Sequence, residues 1–132
     1  MQMRRNIHDD FAKVFGAHPQ SPEIHCDVML TPTTSVTSPL HSRFKTLSDL
    51  GSGREGEHSD LTGVPEMDYH VTAINLAGVP AVSVPTGMSR DMHGNMMPVG
   101  MQVVGWKMQE AKVLRAAKVL EQESNFQYYT DK

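Results

Sequence analysis

The single cysteine of the chain, Cys26, is the first candidate for covalent chemistry. A cysteine nucleophile needs a histidine that takes up its proton and a third group that orients the histidine. Cys26 instead precedes the short apolar run Val28 to Leu30, which is typical of a largely buried strand. A free cysteine in that setting usually behaves as a small apolar side chain. We therefore predict a packing role for Cys26, which has no second cysteine for an internal disulfide.

Seven histidines could in principle supply metal ligands. Zinc sites normally present paired ligands at short spacing. No histidine lies three or four residues from another on a predicted helix, and the one local cluster is His18, His25 and Cys26. The pattern favours scattered surface histidines, so we predict no metal ligand.

The string Gly51-Ser-Gly53-Arg-Glu-Gly56 matches the G-x-G-x-x-G pattern of dinucleotide-binding turns. That turn requires a strand before it and a helix after it, because the pyrophosphate binds at the helix N-terminus. Neither element is predicted here, so a flexible loop is favoured. The chain also has no G-x-S-x-G, H-E-x-x-H or P-loop pattern, and we predict no catalytic residue within it.

Asp68 is the strongest polar candidate because it stands at the start of a predicted helix that runs through Leu76. A carboxylate in that position is stabilised by free backbone N–H groups and stays ionised. It could therefore cap the helix, or bind an ammonium group, or do both.

The elements that hold these residues follow from apolar spacing and turn residues. We predict helices over 3–15, 68–76 and 109–124, of which the first two end at Gly16 and Gly78. We predict strands over 26–34, 81–85 and 99–105. The last two strands, separated by turn residues 89–95, can pair as a hairpin. The last helix should carry an apolar face formed by Val113, Leu114, Ala117 and Leu120. Residues 35–67 are polar and without period, which indicates a functional loop or a disordered insertion.

Composition narrows the class of protein. The 132 residues are enough for one domain. Twelve Lys and Arg against fifteen Asp and Glu leave a net charge of −3, so no broad basic field is available for nucleic acid or an anionic membrane. No apolar run approaches the ~20 residues that span a bilayer. We predict neither direct nucleic-acid binding nor a membrane partner.

Two segments carry a longer and more specific pattern. They read Asp68-Tyr-His-Val-Thr-Ala-Ile-Asn75-Leu-Ala-Gly78-Val-Pro80-Ala-Val-Ser83-Val-Pro85-Thr-Gly87 and Pro98-Val-Gly100-Met-Gln102-Val-Val-Gly105. This pattern resembles the C-terminal part of amidase-signature enzymes, which have a D-x(6)-N-x-A-G-x-P-A-x-S-x-P-x-G stretch, then P-V-G-x-Q-x-x-G, then a last helix ending in Glu-Gln. Further similarity lies in Arg4-Arg5 to Asp10-Phe11, in Asp27 to Thr34 and in Glu121-Gln122.

The resemblance implies a fold and a place within it. The expected class is α/β, namely the C-terminal portion of an amidase-signature α/β/α sandwich with a mixed sheet and helices on both faces. Residues 1–132 would form a C-terminal fragment of one amidase domain, with a long polar loop at 35–67.

Within the family, the pattern is most similar to the A subunits of glutamyl-tRNA(Gln) amidotransferases, which hydrolyse glutamine and supply ammonia for the conversion of Glu-tRNA(Gln) to Gln-tRNA(Gln). Their Ser-cis-Ser-Lys triad lies N-terminal of the matched region, so the resemblance implies no catalytic residue, no cofactor and no activity for this chain alone. The aspartate at the position of Asp68 recognises the α-amino group of glutamine in those subunits.

The resemblance also implies partners and a compartment. The partners would be the B and C subunits, with tRNA reached only through the complex, in the bacterial cytoplasm, a mitochondrion or a plastid. Two other functions stay open at this point: part of an amidase for other carboxamides, or a non-catalytic interaction module that folds alone.

Overall fold

The computed structural model describes residues 2–23, 25–38, 63–91, 93–124 and 126. In chain order its elements are α1 (Gln2–Val14), β1 (Val28–Pro32), α2 (Gly63–Ala77), β2 (Ala81–Arg90), β3 (Met96–Gly105) and α3 (Glu110–Ser124). Residues 39–62, which include the Gly51-x-Gly53-x-x-Gly56 string, His41 and His58, lie outside the described residues. No helix within the described residues is long and apolar enough to cross a membrane.

The three strands form one sheet in the order β1-β3-β2, and both pairings are antiparallel. The predicted hairpin is confirmed, and its two strands extend to ten residues each. A register shift between Pro85 and Gly87 marks a bulge in β2. The α/β class is confirmed as well. The described sheet is antiparallel throughout, so the mixed sheet stays an expectation for the complete domain.

Helices cover both faces of the sheet, because successive side chains of β3 point in opposite directions. Val103 packs with Val84 of β2 and with Val113 and Ala117 of α3. Val104 packs on the other face with residues of α1, α2 and the loops beside them: Phe15, Ile74, Ala77 and Val79. Both valines are fully buried, and each such burial contributes roughly 1.5–3 kcal/mol.

Glycines end the two helices on the Val104 face, as the sequence predicted. Gly16 follows α1 with φ of 73° and Gly78 follows α2 with φ of 67°, a backbone region that disfavours residues with a Cβ atom. At Gly16 there is also no room, since an added Cβ would lie 2.7 Å from the ring of His25.

Three sequence-based expectations were wrong in detail. β1 is an edge strand rather than a largely buried one, and Leu30 is 50% exposed. Leu114 is 60% exposed because it lies one residue, or about 100°, around the helix from Val113. α2 begins at Gly63 rather than at Asp68, so residues 63–67 are helical rather than part of the polar loop. A proline in the first turn, here Pro65, is compatible with that earlier start because its missing N–H group would have no partner there.

Candidate functional site

Gln102 is the one buried polar side chain among the described residues, with 4% exposure. Its Nε2 donates to the carbonyl oxygen of Pro32, at 3.3 Å, and to the carbonyl oxygen of His70, at 3.2 Å. Both partners are acceptors, so the nitrogen of the carboxamide must face them. The side chain of β3 thereby joins the end of β1 to the middle of α2.

Two hydroxyl groups meet beside Gln102. Thr33, directly after β1, and Ser83 of β2 place their side-chain oxygens 2.7 Å apart. The backbone N–H of Thr33 donates to the carbonyl oxygen of Gly100 at 3.0 Å. A Cβ at Gly100 would lie 3.0 Å from the carbonyl oxygen of Val84 and 3.3 Å from both hydroxyls, so the close approach of the strands depends on this glycine. We call the polar groups of Pro32, Thr33, His70, Ser83 and Gln102 the polar junction.

His70 links the polar junction to the segment that follows β1. Its Nε2 lies 3.0 Å from the hydroxyl oxygen of Ser35. Its ring also stands edge-on to Tyr69, with 5.3 Å between the ring centroids. The side chain of His70 therefore contacts the segment after β1, and its carbonyl oxygen accepts a hydrogen bond from Gln102 of β3.

An open groove of about 600 Å³ lies beside the polar junction, between α1, α2 and β1. Most of its lining is apolar, and its few polar groups come from β1 and α2. The lining residues are Met3, Ile7, Phe11, Met29, Thr31, Tyr69, His70, Thr72, Ala73, Ile74 and Leu76. Its shape and lining are those of a surface that accepts apolar groups.

Asp68 does not cap α2. It is the sixth residue of that helix, so the backbone N–H groups that follow it lie inside the helix and are not the unpaired groups that a cap would bind. Asp68 is exposed, and its carbonyl oxygen accepts the hydroxyl of Thr72 at 2.8 Å. Its carboxylate makes no hydrogen bond or ion pair with the part of the chain that the structure describes.

Asp68 shares a face of α2 with Asn75. The two residues are seven apart, which is close to two helical turns and about 10 Å along the axis. Neither residue lines the groove. Asp68 and Asn75 therefore lie on an exposed face of α2, outside the groove.

Cys26 has the packing role that its sequence context predicted. It is partly buried against the cluster around Phe15 and Val104, and its thiol donates to the carbonyl oxygen of Val14 at 3.6 Å. The described residues contain no group of three His, Cys, Asp or Glu side chains placed to hold a metal ion.

Asp27 and Asp91 have perturbed carboxyl groups, and both lie away from the polar junction. Lys112 of α3 donates to Asp27 at 2.5 Å, and this bond together with its charge lowers the pKa of Asp27. Hydrogen bonds from the side chain and the backbone N–H of Asn95 lower the pKa of Asp91 in the β2–β3 turn. Asp27 is exposed and Asp91 is half-buried, so these contacts order the surface of the protein.

Neither Gln102 nor His70 was predicted from the sequence to be part of a site. A signal was present for Gln102, because one carboxamide interrupts an otherwise apolar strand from Val99 to Val104. A polar residue in such a run is buried, and burial requires a partner. No comparable signal marks His70, since its bonding partners come from other elements.

Comparison with known proteins gives a consistent result. A family model described as Amidase matches residues 1–114. The mitochondrial glutamyl-tRNA(Gln) amidotransferase A subunit of Ixodes scapularis is 38% identical over 96% of this chain and 21% of its own length. The corresponding A subunit of Methylobacillus flagellatus is 35% identical over 92% of this chain and 20% of its own length. The A subunit of Thermotoga maritima is 35% identical over 96% of this chain and 21% of its own length. The chain spans about a fifth of these relatives, in their C-terminal part.

Two solved structures share the fold. They belong to a vestigial protein complex that reveals the evolutionary origins of an s-triazine catabolic enzyme. One matches 92% of this chain and 22% of its own chain with a TM-score of 0.59 and 24% identity. The other, an inhibitor-bound form, has a TM-score of 0.56 and 22% identity over the same shares.

Proposed function

This chain belongs to the amidase family, and we propose from that membership that it is the C-terminal part of a glutamine-hydrolysing amidotransferase subunit. The observation that carries the proposal is the extent of similarity to glutamyl-tRNA(Gln) amidotransferase A subunits. The identity of 35–38% with three of them extends over 92–96% of the chain rather than over one motif. The proposed reaction is amide hydrolysis that supplies ammonia for the conversion of Glu-tRNA(Gln) to Gln-tRNA(Gln).

The remaining machinery lies outside this chain in the proposal. The Ser-cis-Ser-Lys triad belongs to the part of the subunit that precedes the matched region. The B and C subunits are the proposed partners, and tRNA contacts the protein only through that complex. The relatives come from bacteria and from mitochondria, so the proposed compartment is the bacterial cytoplasm, a mitochondrion or a plastid.

Asp68 is the proposed substrate-binding residue of this part of the subunit. Its carboxylate is exposed on α2 and has no described partner, so it is free to bind a ligand cation. The α-ammonium group of glutamine would form a charge-assisted hydrogen bond with it, and that bond distinguishes glutamine from amides that lack the amino group.

The test substitutes Asp68→Asn in the longer subunit, with glutamine and its deamino analogue, glutaramate, compared as substrates. The analogue keeps the amide, the carboxylate and the chain length, and it lacks only the ammonium group. Asp68→Asn removes one negative charge from an exposed side chain that does not cap the helix, so the fold should be retained. We expect kcat/KM for glutamine to fall about ten- to a hundredfold, which corresponds to roughly 1.5–3 kcal/mol. The value for glutaramate should change less than about threefold.

Asp10→Asn is the matched control, because Asp10 is also an exposed helical aspartate but lies on α1. It should leave both substrates unchanged. Equal losses on both substrates in Asp68→Asn would refute the recognition role and would favour an amidase for other carboxamides. Ammonia release from glutamine by the isolated chain, eluting with the main protein peak, would refute the assignment of catalysis to an absent region.

A further inference from the structure

We infer that Gln102 is a positioning residue, which holds the part of α2 that carries Asp68 in place against the sheet. The inference rests on the proposed function, since it concerns the same substrate contact. It assigns a task to the one buried carboxamide of the described residues.

Among residues 68–77 of α2, the buried apolar side chains lie at the end of the helix. Ile74 and Ala77 are 5% and 2% exposed, and they pack against Val104 and Phe15. Both residues lie in the last turn of the helix. Asp68, Tyr69 and Thr72 are exposed and belong to neither core cluster. Within residues 68–77, apolar packing therefore fixes the end of α2, and the exposed residues Asp68, Tyr69 and Thr72 add no contact to the described core.

Polar interactions fix the turn around Asp68. The carbonyl oxygen of His70, two residues after Asp68, accepts Nε2 of Gln102 at 3.2 Å, and the His70 ring contacts Ser35 at 3.0 Å. The Ser35 contact is exposed and comes from a segment outside the sheet, whereas Gln102 is 4% exposed on the central strand. Gln102 is thus the rigid link between α2 and the sheet in this region.

The second hydrogen bond of Gln102 restricts the rotation of its carboxamide group. Its other hydrogen is donated to the carbonyl oxygen of Pro32, at the end of β1. With both hydrogens used, the carboxamide can rotate only by losing a buried bond. A buried hydrogen bond that is lost is costly because the freed group has no water to replace its partner. The distance between β1 and the Asp68 turn of α2 is therefore set by the length of one side chain.

The first test is Gln102→Met in the longer subunit, with glutamine and glutaramate as substrates. Methionine keeps the length and volume of glutamine and donates no hydrogen bond. We expect KM for glutamine to rise about tenfold and kcat to stay within about twofold, because the ammonium contact is misplaced while the reacting amide is not. KM for glutaramate should stay within about twofold. Gln122→Met, the same change on an exposed part of α3, should alter neither substrate.

A double-mutant cycle separates this inference from the proposed function. If Gln102 acts through Asp68, Gln102→Met adds no further loss of glutamine selectivity in the Asp68→Asn background. Selectivity lost in Asp68→Asn but retained in Gln102→Met would overturn the inference alone. An additional, independent loss in the double variant would overturn it too. If Asp68→Asn has no selective effect, the proposed function itself fails.

Gln102→Glu provides a second test that does not depend on the methionine variant. An ionised glutamate cannot donate to the two carbonyl oxygens, whereas its protonated form can donate to one of them. Glutamine selectivity relative to glutaramate, normalised at each pH to the unsubstituted protein, should therefore recover as the pH falls. A normalised selectivity that is flat with pH would show that hydrogen bonding at this position does not position Asp68.

Discussion

Val103 and Val104 are adjacent in β3, both fully buried, and they belong to two separate cores on opposite faces of the sheet. Val103 lies under α3 and Val104 lies between the sheet and the α1–α2 pair. The central strand therefore contributes to both cores. Gln102, the residue before this pair, faces the same side as Val104 and connects the sheet to α2.

The core under α3 should be sensitive to the loss of small groups. Val113 is 3% exposed and packs in the cluster with Val103. We expect Val113→Ala to lower the free energy of unfolding by about 2 kcal/mol, through lost burial and the cavity left behind. Val119→Ala, on the same helix at 54% exposure, should cost less than about 0.5 kcal/mol. Denaturant titration of the longer subunit measures the free energy of unfolding of both variants. Equal decreases in the two variants would contradict the packing of Val113 against the sheet.

Gly105 allows α3 to pack closely against the end of β3. A Cβ atom at this position would overlap Cγ2 of Val113, a branched side chain that cannot rotate freely in a packed core. We therefore expect Gly105→Ala to destabilise the protein by about 1–3 kcal/mol. Gly87→Ala is the control, because nothing lies within 4 Å of its added Cβ and its φ is not positive. Thermal melts of the two variants should rank in that order, and a neutral Gly105→Ala would rule out the close contact.

The carboxyl of Asp91 should titrate below its ordinary range. Oδ1 of Asp91 accepts the backbone N–H groups of His93 and Asn95, both at 2.8 Å, and Oδ2 accepts the side-chain amide of Asn95 at 3.0 Å. These bonds favour the ionised form and lower the pKa, with the Asn95 side chain as the largest cause.

The lowered pKa fixes the direction of the pH effect. Asp91 stabilises the β2–β3 turn above the pKa of the unfolded chain, about 4, and the contribution is lost as the pH falls through the lower pKa of the folded state. Carbon-13 NMR titration of the Asp91 carboxyl measures this pKa. Asn95→Ala should raise it, and an unchanged midpoint would show that the side-chain bond is absent in solution.

The isolated chain should self-associate, because β1 and β2 are the two edges of the described sheet. Strand edges carry unpaired backbone groups that pair with other chains. Leu30 adds an apolar side chain to the β1 edge, with 50% exposure. Leu30→Lys should lower the mass measured by light scattering, whereas Leu114→Lys, on a helix at 60% exposure, should not. A monomer with a cooperative melt would instead support a non-catalytic module that folds alone.

Local patterns in the sequence predicted most of the fold. Apolar spacing identified α1 and α3, Gly16 and Gly78 marked the ends of α1 and α2, and the turn residues between β2 and β3 predicted the hairpin. These features depend on interactions within a few residues, which a sequence displays directly. The motif beginning at Asp68 likewise predicted the family, which the match of the Amidase model to residues 1–114 confirmed.

Contacts between distant residues were decided only by the tertiary structure. The sequence predicted that Asp68 begins a helix, whereas α2 begins at Gly63, because local signals locate helix boundaries less well than helix centres. Nothing near Gln102 in the sequence indicates that its partners are Pro32, 70 residues away, and His70, 32 residues away. A buried polar group needs a hydrogen-bond partner, and a glutamine within an apolar strand indicates that need from the sequence alone. Which groups satisfy it depends on how β1, β3 and α2 pack in three dimensions.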